Sequence, residues 1–173
     1  GIKSSLDFKH WGNIYCGKLI FEDIEKTYNV RSKYSKKGGI IIKFETNRPS
    51  WKIIKESGVI TGYGQFFPCV CTDKGTLFAD KIDALLKKNR ARHIYDIIFM
   101  LSRQYPVRED LLKIYHINAK PMEAIEGRIM EFKDAQLKKI AEELRPFLFD
   151  ESEADLIANA KQIIPALIKK YNV

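Results

Sequence analysis

The sequence predicts an α+β chain: a small mixed sheet in the first part, followed by a C-terminal helical bundle. Two observations lead there. Residues 40–46 (IIIKFET) are rich in β-branched side chains and alternate, with Ile40, Ile42, Phe44 and Thr46 against Ile41, Lys43, Glu45 and Asn47. From about residue 74 onward the apolar residues instead recur at helical spacing, as Ile94, Ile97, Ile98 and Leu101 do at i, i+3, i+4 and i+7. The natural division is therefore 1–73 for the sheet region and 74–173 for the helical domain.

Taken in order, Phe8 to Lys18 reads as irregular surface structure because Gly12, Asn13 and Gly17 punctuate it. Leu19 to Tyr28 reads as a short helix, with Leu19, Ile20, Ile24 and Tyr28 near one side. Asn29 to Tyr34 reads as a strand turning through Ser35 to Gly39, where glycine supplies the positive φ of a hairpin, into the strand at Ile40. Asn47 to Ser50 closes that strand. Trp51 to Lys55 is a short strand or turn, the spacing of Gly58, Gly62 and Gly64 suggests a loop, and Phe66 to Cys71 is a second strand with Pro68 placing it at an edge.

Helices follow. Leu77, Ile82, Leu85 and Leu86 mark one stripe and Ile94 to Leu101 the next, separated by a basic bend, Lys87 to Arg92 (KKNRAR). Short helices are expected at Val107–His116 and Pro121–Phe132, the latter opened by a proline where the missing N–H costs nothing. A further helix spans Asp134–Leu144 until Pro146. The last, Glu151–Tyr171, carries acids in its first turn and Lys169 and Lys170 in its last, as its dipole favours, with Pro165 expected to bend it.

Of the 173 residues, 30 are Lys or Arg and 22 Asp or Glu, a formal charge of +8. Residues 1–80 hold thirteen basic against eight acidic side chains, 81–106 six against two, and 107–173 eleven against twelve. The basic excess thus lies in the first two thirds, which suits a polyphosphate partner, nucleotide or nucleic acid. Three cysteines, an odd number without CxxC spacing, argue against a zinc site and a secreted disulfide framework. Cys69 and Cys71 would share one face of a strand and read as two buried thiols of a reducing, cytoplasmic protein. No apolar run is long enough for a membrane span.

Chemistry-bearing residues are few. Gly38-Gly39 lacks the Lys-Ser/Thr of a phosphate loop, and His10, His93 and His116 have no ligand spacing. Glu45 on its strand could serve as a carboxylate for Mg²⁺, although Lys43 on the same face would partly neutralise it. In the helix pair Lys81, Asp83, Arg90, Arg92, His93 and Asp96 are the polar residues of interest. Lys81 could contact phosphates and the bend could add charge along a nucleotide or RNA backbone, while Asp96 lies four residues from Arg92.

Asp80-Lys81-Ile82-Asp83-Ala84-Leu85-Leu86 followed by Arg90-Ala91-Arg92-His93-Ile94-Tyr95-Asp96-Ile97 resembles the paired segment of the AbiEii/AbiGii-type toxin nucleotidyltransferases, a branch of the DNA polymerase β-like superfamily. The strand Ile42-Lys43-Phe44-Glu45-Thr46-Asn47 resembles the one that follows that family's catalytic motif. The resemblance covers about residues 40–105. It implies a partial nucleotidyltransferase fold, Mg²⁺ and NTP as cofactors, and transfer of a nucleotide from NTP to an acceptor such as tRNA. It also implies an antitoxin partner and a role in toxin–antitoxin or phage-defence systems.

Carried over residue by residue, Lys81 would contact the triphosphate, Glu45 would be the accessory acid and tentative metal ligand, and Asp96 would support the site. Lys43, Arg90 and Arg92 would engage nucleotide or RNA. Two departures stand out. The family's Arg-Asp is Arg92-His93 here, and the Gly-Ser turn followed by Asp-x-Asp is missing, as expected of a piece of a longer enzyme or else of a degenerate relative. The alternative is a non-catalytic basic module that binds nucleic acid or a partner protein.

Overall fold

The computed structural model describes residues 3–29, 39–49, 51–62 and 64–171. Among these are five strands and eight helices, which establishes the α+β class. The chain separates into two compact units, Gly1–Lys52 and Ile53–Val173.

The first unit holds an antiparallel sheet ordered β1 (Ser4–Trp11), β2 (Ile14–Phe21) and β3 (Ile40–Asn47), with the five-residue helix α1 (Ile24–Tyr28) after β2. The irregular reading of residues 8–18 is corrected: these residues build β1, a turn at Gly12 with φ 55°, and the start of β2. The helix expected from Leu19 is corrected too, since Leu19–Phe21 complete β2 and only Ile24–Tyr28 is helical. An apolar run such as Leu19-Ile20-Phe21 is compatible with either period, and pairing on both sides, Leu19 with Leu6 and with Ile42, decides for the strand. The strand expected at Asn29–Tyr34 and its turn fall largely on residues 30–38, outside the described residues. Gly17 is required where it stands, because the ring of Phe44 on the paired strand lies where a Cβ would be, 2.1 Å from its position.

The second unit opens with a hairpin, β4 (Lys55–Gly62) and β5 (Gln65–Thr72). The loop expected around Gly58 and Gly62 is corrected: both lie in β4, opposite Cys69 and Gln65. The thiols expected to be buried are not, Cys69 being half-buried and Cys71 exposed; Cys16 of β2 is the buried one. Among the described residues the hairpin stands as a two-stranded sheet, and most of its residues on both faces are exposed.

Then come α2 (Lys74–Lys87), α3 (Ala91–Ser102), α4 (Glu109–Ile114), α5 (Pro121–Glu131), α6 (Asp134–Leu144), α7 (Ala154–Ala158) and α8 (Ala160–Tyr171). The single helix expected over 151–171 is instead a 3-10 turn, Glu151–Glu153, then α7 and α8, interrupted at Asn159. Asn159 turns its side chain back to the carbonyl of Asp155, a bond that competes with helix continuation. The α3 helix packs against α2, α6, α7 and α8, and its Ile94 and Ile97 are fully buried beside Phe78, Ile82 and Leu85 of α2. No helix of the described residues is long and apolar enough to cross a membrane.

The start of α2 is fixed by a relay. Asp73 caps it by accepting from the Thr76 N–H at 2.9 Å and from the Thr76 hydroxyl at 2.5 Å, and that hydroxyl accepts from Arg108 at 3.2 Å. Burial works against the Asp73 charge, but these hydrogen bonds and Arg108 outweigh it and hold the carboxyl below its ordinary value. A Cβ on Gly75 would stand 3.0 Å from both Asp73 Oδ1 and Arg108 Cγ. Gly75→Ala is therefore expected to loosen the cap and destabilise the unit by about 1 kcal/mol, measurable as a lower urea midpoint.

Candidate functional site

The helix pair predicted from spacing forms as expected, and its polar residues converge. An antiparallel turn from α2 into α3 brings Lys81 and Asp96, fifteen residues apart, to 2.5 Å between Nζ and Oδ2. Each side chain retains 31% of its accessibility, so the pair is half-screened and a ligand can still reach the ammonium group. Asp83 is drawn away from this centre and pairs with Lys87 at 2.6 Å.

Lys87, Lys88, Arg90 and Arg92 are all exposed around the bend. Arg90 occupies the N-cap of α3 without a side-chain cap, so the positive end of that helix opens beside four cationic side chains. The expected pairing of Arg92 with Asp96 does not form; Asp96 is taken by Lys81. The bend itself is held by Arg128 of α5, whose guanidinium donates to the Leu85 carbonyl at 3.4 Å, to Asn89 Oδ1, and to Glu131 at 2.5 Å.

His93 was visible in the sequence, but its setting was not. It is 5% exposed, and neither ring nitrogen has a hydrogen-bond partner among the described residues. Burial lowers its pKa, and Lys81, Arg92 and Lys88 lower it further against the opposing pull of Asp96. The folded chain therefore holds His93 neutral, while the unfolded chain titrates it near its ordinary value of about 6.5. The unfolded state then binds the extra proton first, so stability present above that value is lost as pH falls through it toward the depressed value. His93→Leu is expected to flatten this part of the stability–pH curve, read from denaturation midpoints between about pH 7 and 5.

Two further contacts frame the pair, and neither had a sequence signal, because each joins distant segments. Tyr95 donates to Glu153 at 2.5 Å, a bond that pushes its hydroxyl pKa up to about 12. Tyr115 donates to Asp80, next to Lys81. Burial raises the Asp80 carboxyl despite that bond, and burial raises the Tyr115 phenol as well.

Glu45 and Lys43 lie on β3 in the other unit, where they pair with each other at 2.6 Å, half exposed. The Mg²⁺ that the resemblance implies would need several hard oxygen ligands. Among the described residues no group of three His, Cys, Asp or Glu side chains comes together, and both Glu45 and Asp96 are neutralised by lysines. The residues present do not fit a magnesium centre.

No curated protein and no solved structure matches the chain. The family model described as nucleotidyl transferase AbiEii toxin, type IV TA system, matches residues 28–166, which include β3, the Lys81–Asp96 pair, the basic bend and most of the helical bundle. The chain belongs to the AbiEii nucleotidyl transferase toxin family.

Proposed function

We propose that the α2–α3 pair is the nucleotide-handling part of a toxin that transfers a nucleotide from NTP to an acceptor such as tRNA. The observation that carries this reading is the Lys81–Asp96 contact, made within the family-matched segment and still reachable from solvent. Lys81 contacts the triphosphate: a compact ammonium with three donors suits phosphate oxygens, and Asp96 holds it in place before nucleotide arrives. Arg90 and Arg92 steer NTP or the RNA backbone toward it. Glu45, paired with Lys43 on β3, is the accessory acid, and the functional boundary lies at 73/74, where strands give way to helices. Transfer also requires carboxylates of an Asp-x-Asp kind, which no Gly-Ser turn in this sequence introduces. An antitoxin would be the protein partner, the setting phage defence, and the cytoplasm, where NTP is abundant, the place of action.

The test is NTP-dependent thermal stabilisation of the chain at fixed salt, compared between wild type and Lys81→Ala. A rise in Tm with NTP that disappears in the variant supports the reading. A second reading, a non-catalytic basic module for nucleic acid, is favoured by the four exposed cations at one bend. It predicts RNA binding that falls steeply with salt and no effect of NTP.

A further inference from the structure

We propose that His93 is the reserve partner of Asp96: when a phosphate draws Lys81 away, the imidazole takes up a proton and donates to the carboxylate left behind. The trigger rests on the reading above, in which Lys81 serves the nucleotide. The reserve itself rests on geometry.

His93 and Asp96 are three residues apart on α3, so their side chains leave neighbouring positions on one face of that helix. The carboxylate is engaged by Lys81 of α2 at 2.5 Å. The imidazole has no such engagement. It is 5% exposed, and among the described residues neither Nδ1 nor Nε2 has a hydrogen-bond partner. A neutral imidazole carries one donor and one acceptor, and leaving both unused inside a protein is costly. A group so placed gains little in this arrangement and much in one where an acceptor beside it falls vacant. The charges that act on it are Lys81 and Lys88, on α2 and at its end, and Arg92 and Asp96 on α3. Of these Asp96 supplies the attraction.

Departure of the ammonium changes both sides of the contact at once. It strips the half-screened Asp96 carboxylate of its partner. It also removes the cation that, after burial, does most to keep the imidazole neutral. A vacant carboxylate nearby and one cation fewer both favour the imidazolium. One proton passes from solvent to the ring, and no covalent bond other than that N–H is made or broken. Arg92, four residues before Asp96, is the competing donor. Its side chain is exposed, and a hydrated guanidinium gains less from a carboxylate than a buried ring without partners does.

The nucleotide complex then holds a proton that the free chain does not. Affinity for nucleotide rises as pH falls through the pKa of His93 in the complex, and levels off below its depressed value in the free chain.

The first experiment needs no nucleotide. Imidazole titrations of the 173-residue chain by NMR give the pKa of His93, distinguished from His10 and His116 by the signal lost in His93→Gln. Wild type should titrate below about 6.5, Lys81→Ala above it, and Lys81→Ala/Asp96→Asn below it again. The ring N–H of Lys81→Ala should resist exchange with solvent, and that protection should vanish in the double variant. The second experiment is calorimetry with ATP and CTP in buffers of different ionisation enthalpy. Wild type should take up more protons on binding than His93→Gln, whose amide still donates to Asp96. His93→Leu has no donor and should bind several-fold more weakly. Circular dichroism confirms that each variant folds. A His93 pKa that stays below its ordinary value in Lys81→Ala, as it would if Arg92 captured Asp96, overturns the proposal. Titrations that shift as expected beside a wild-type Tm unmoved by nucleotide would support the reserve and strike the proposed function instead.

Discussion

Phe78→Ala is expected to cost about 3–5 kcal/mol of stability, the largest single loss available in the helical unit. Phe78 has no exposed surface and sits on α2, its ring meeting the Tyr171 ring edge-on with centroids 6.3 Å apart. Truncation removes the transfer free energy of a whole ring and leaves a cavity that Ile82 and Leu85, both fully buried and fixed in their own positions on the helix, cannot fill. Urea denaturation measures it: the midpoint should drop while the slope stays near that of wild type. Phe149→Ala is the internal control. That ring is fully exposed, so its removal should change the midpoint by no more than about 0.5 kcal/mol in equivalent terms.

The second large effect is functional and separates the two partners of one ion pair. At nucleotide a hundredfold above its Kd, wild type should gain about 2.7 kcal/mol from linkage. Lys81→Ala should lose nearly all of it. Asp96→Asn should not, because it releases the ammonium from its competitor while leaving it in place; nucleotide stabilisation should persist in this variant even where transfer by the active enzyme fails. Intrinsic stability should change little in either, by about 1 kcal/mol or less, since each side chain is roughly one-third exposed and such pairs are partly screened. Equal loss of nucleotide stabilisation in both variants would place the triphosphate elsewhere.

Local pattern carried much of this fold and little of its framing. The alternation of Ile40–Thr46 and the i, i+3, i+4, i+7 run from Ile94 were sufficient because each buries or pairs one side of a regular element. Leu19–Phe21 was misread because three successive apolar residues carry no period, and what makes them a strand are partners at Leu6 and Ile42. Gly58 and Gly62 read as loop residues because glycine weakens strands; in β4 the missing side chain of Gly58 leaves room for two sulfurs. In the candidate site, Lys81 and Asp96 could be named from a motif. Their mutual contact, the burial of His93 and the supports from Glu153 and Tyr115 depend on how helices far apart in the chain come together.

The Arg128 guanidinium has a consequence for how this protein would recognise a ligand. By spanning the end of α2, the amide of Asn89 and its own helix, it fastens the segment that carries the basic bend to a third helix. A loop rich in lysine and arginine would ordinarily sample many shapes and surrender that freedom on meeting a phosphate. Here the backbone end of α2 and Asn89 are already held in the folded chain. Association at the bend should therefore proceed as docking onto a rigid template, with a small heat-capacity change and amide resonances that shift without broadening. Cutting the tie with Arg128→Ala would convert the same encounter into one that must first be ordered.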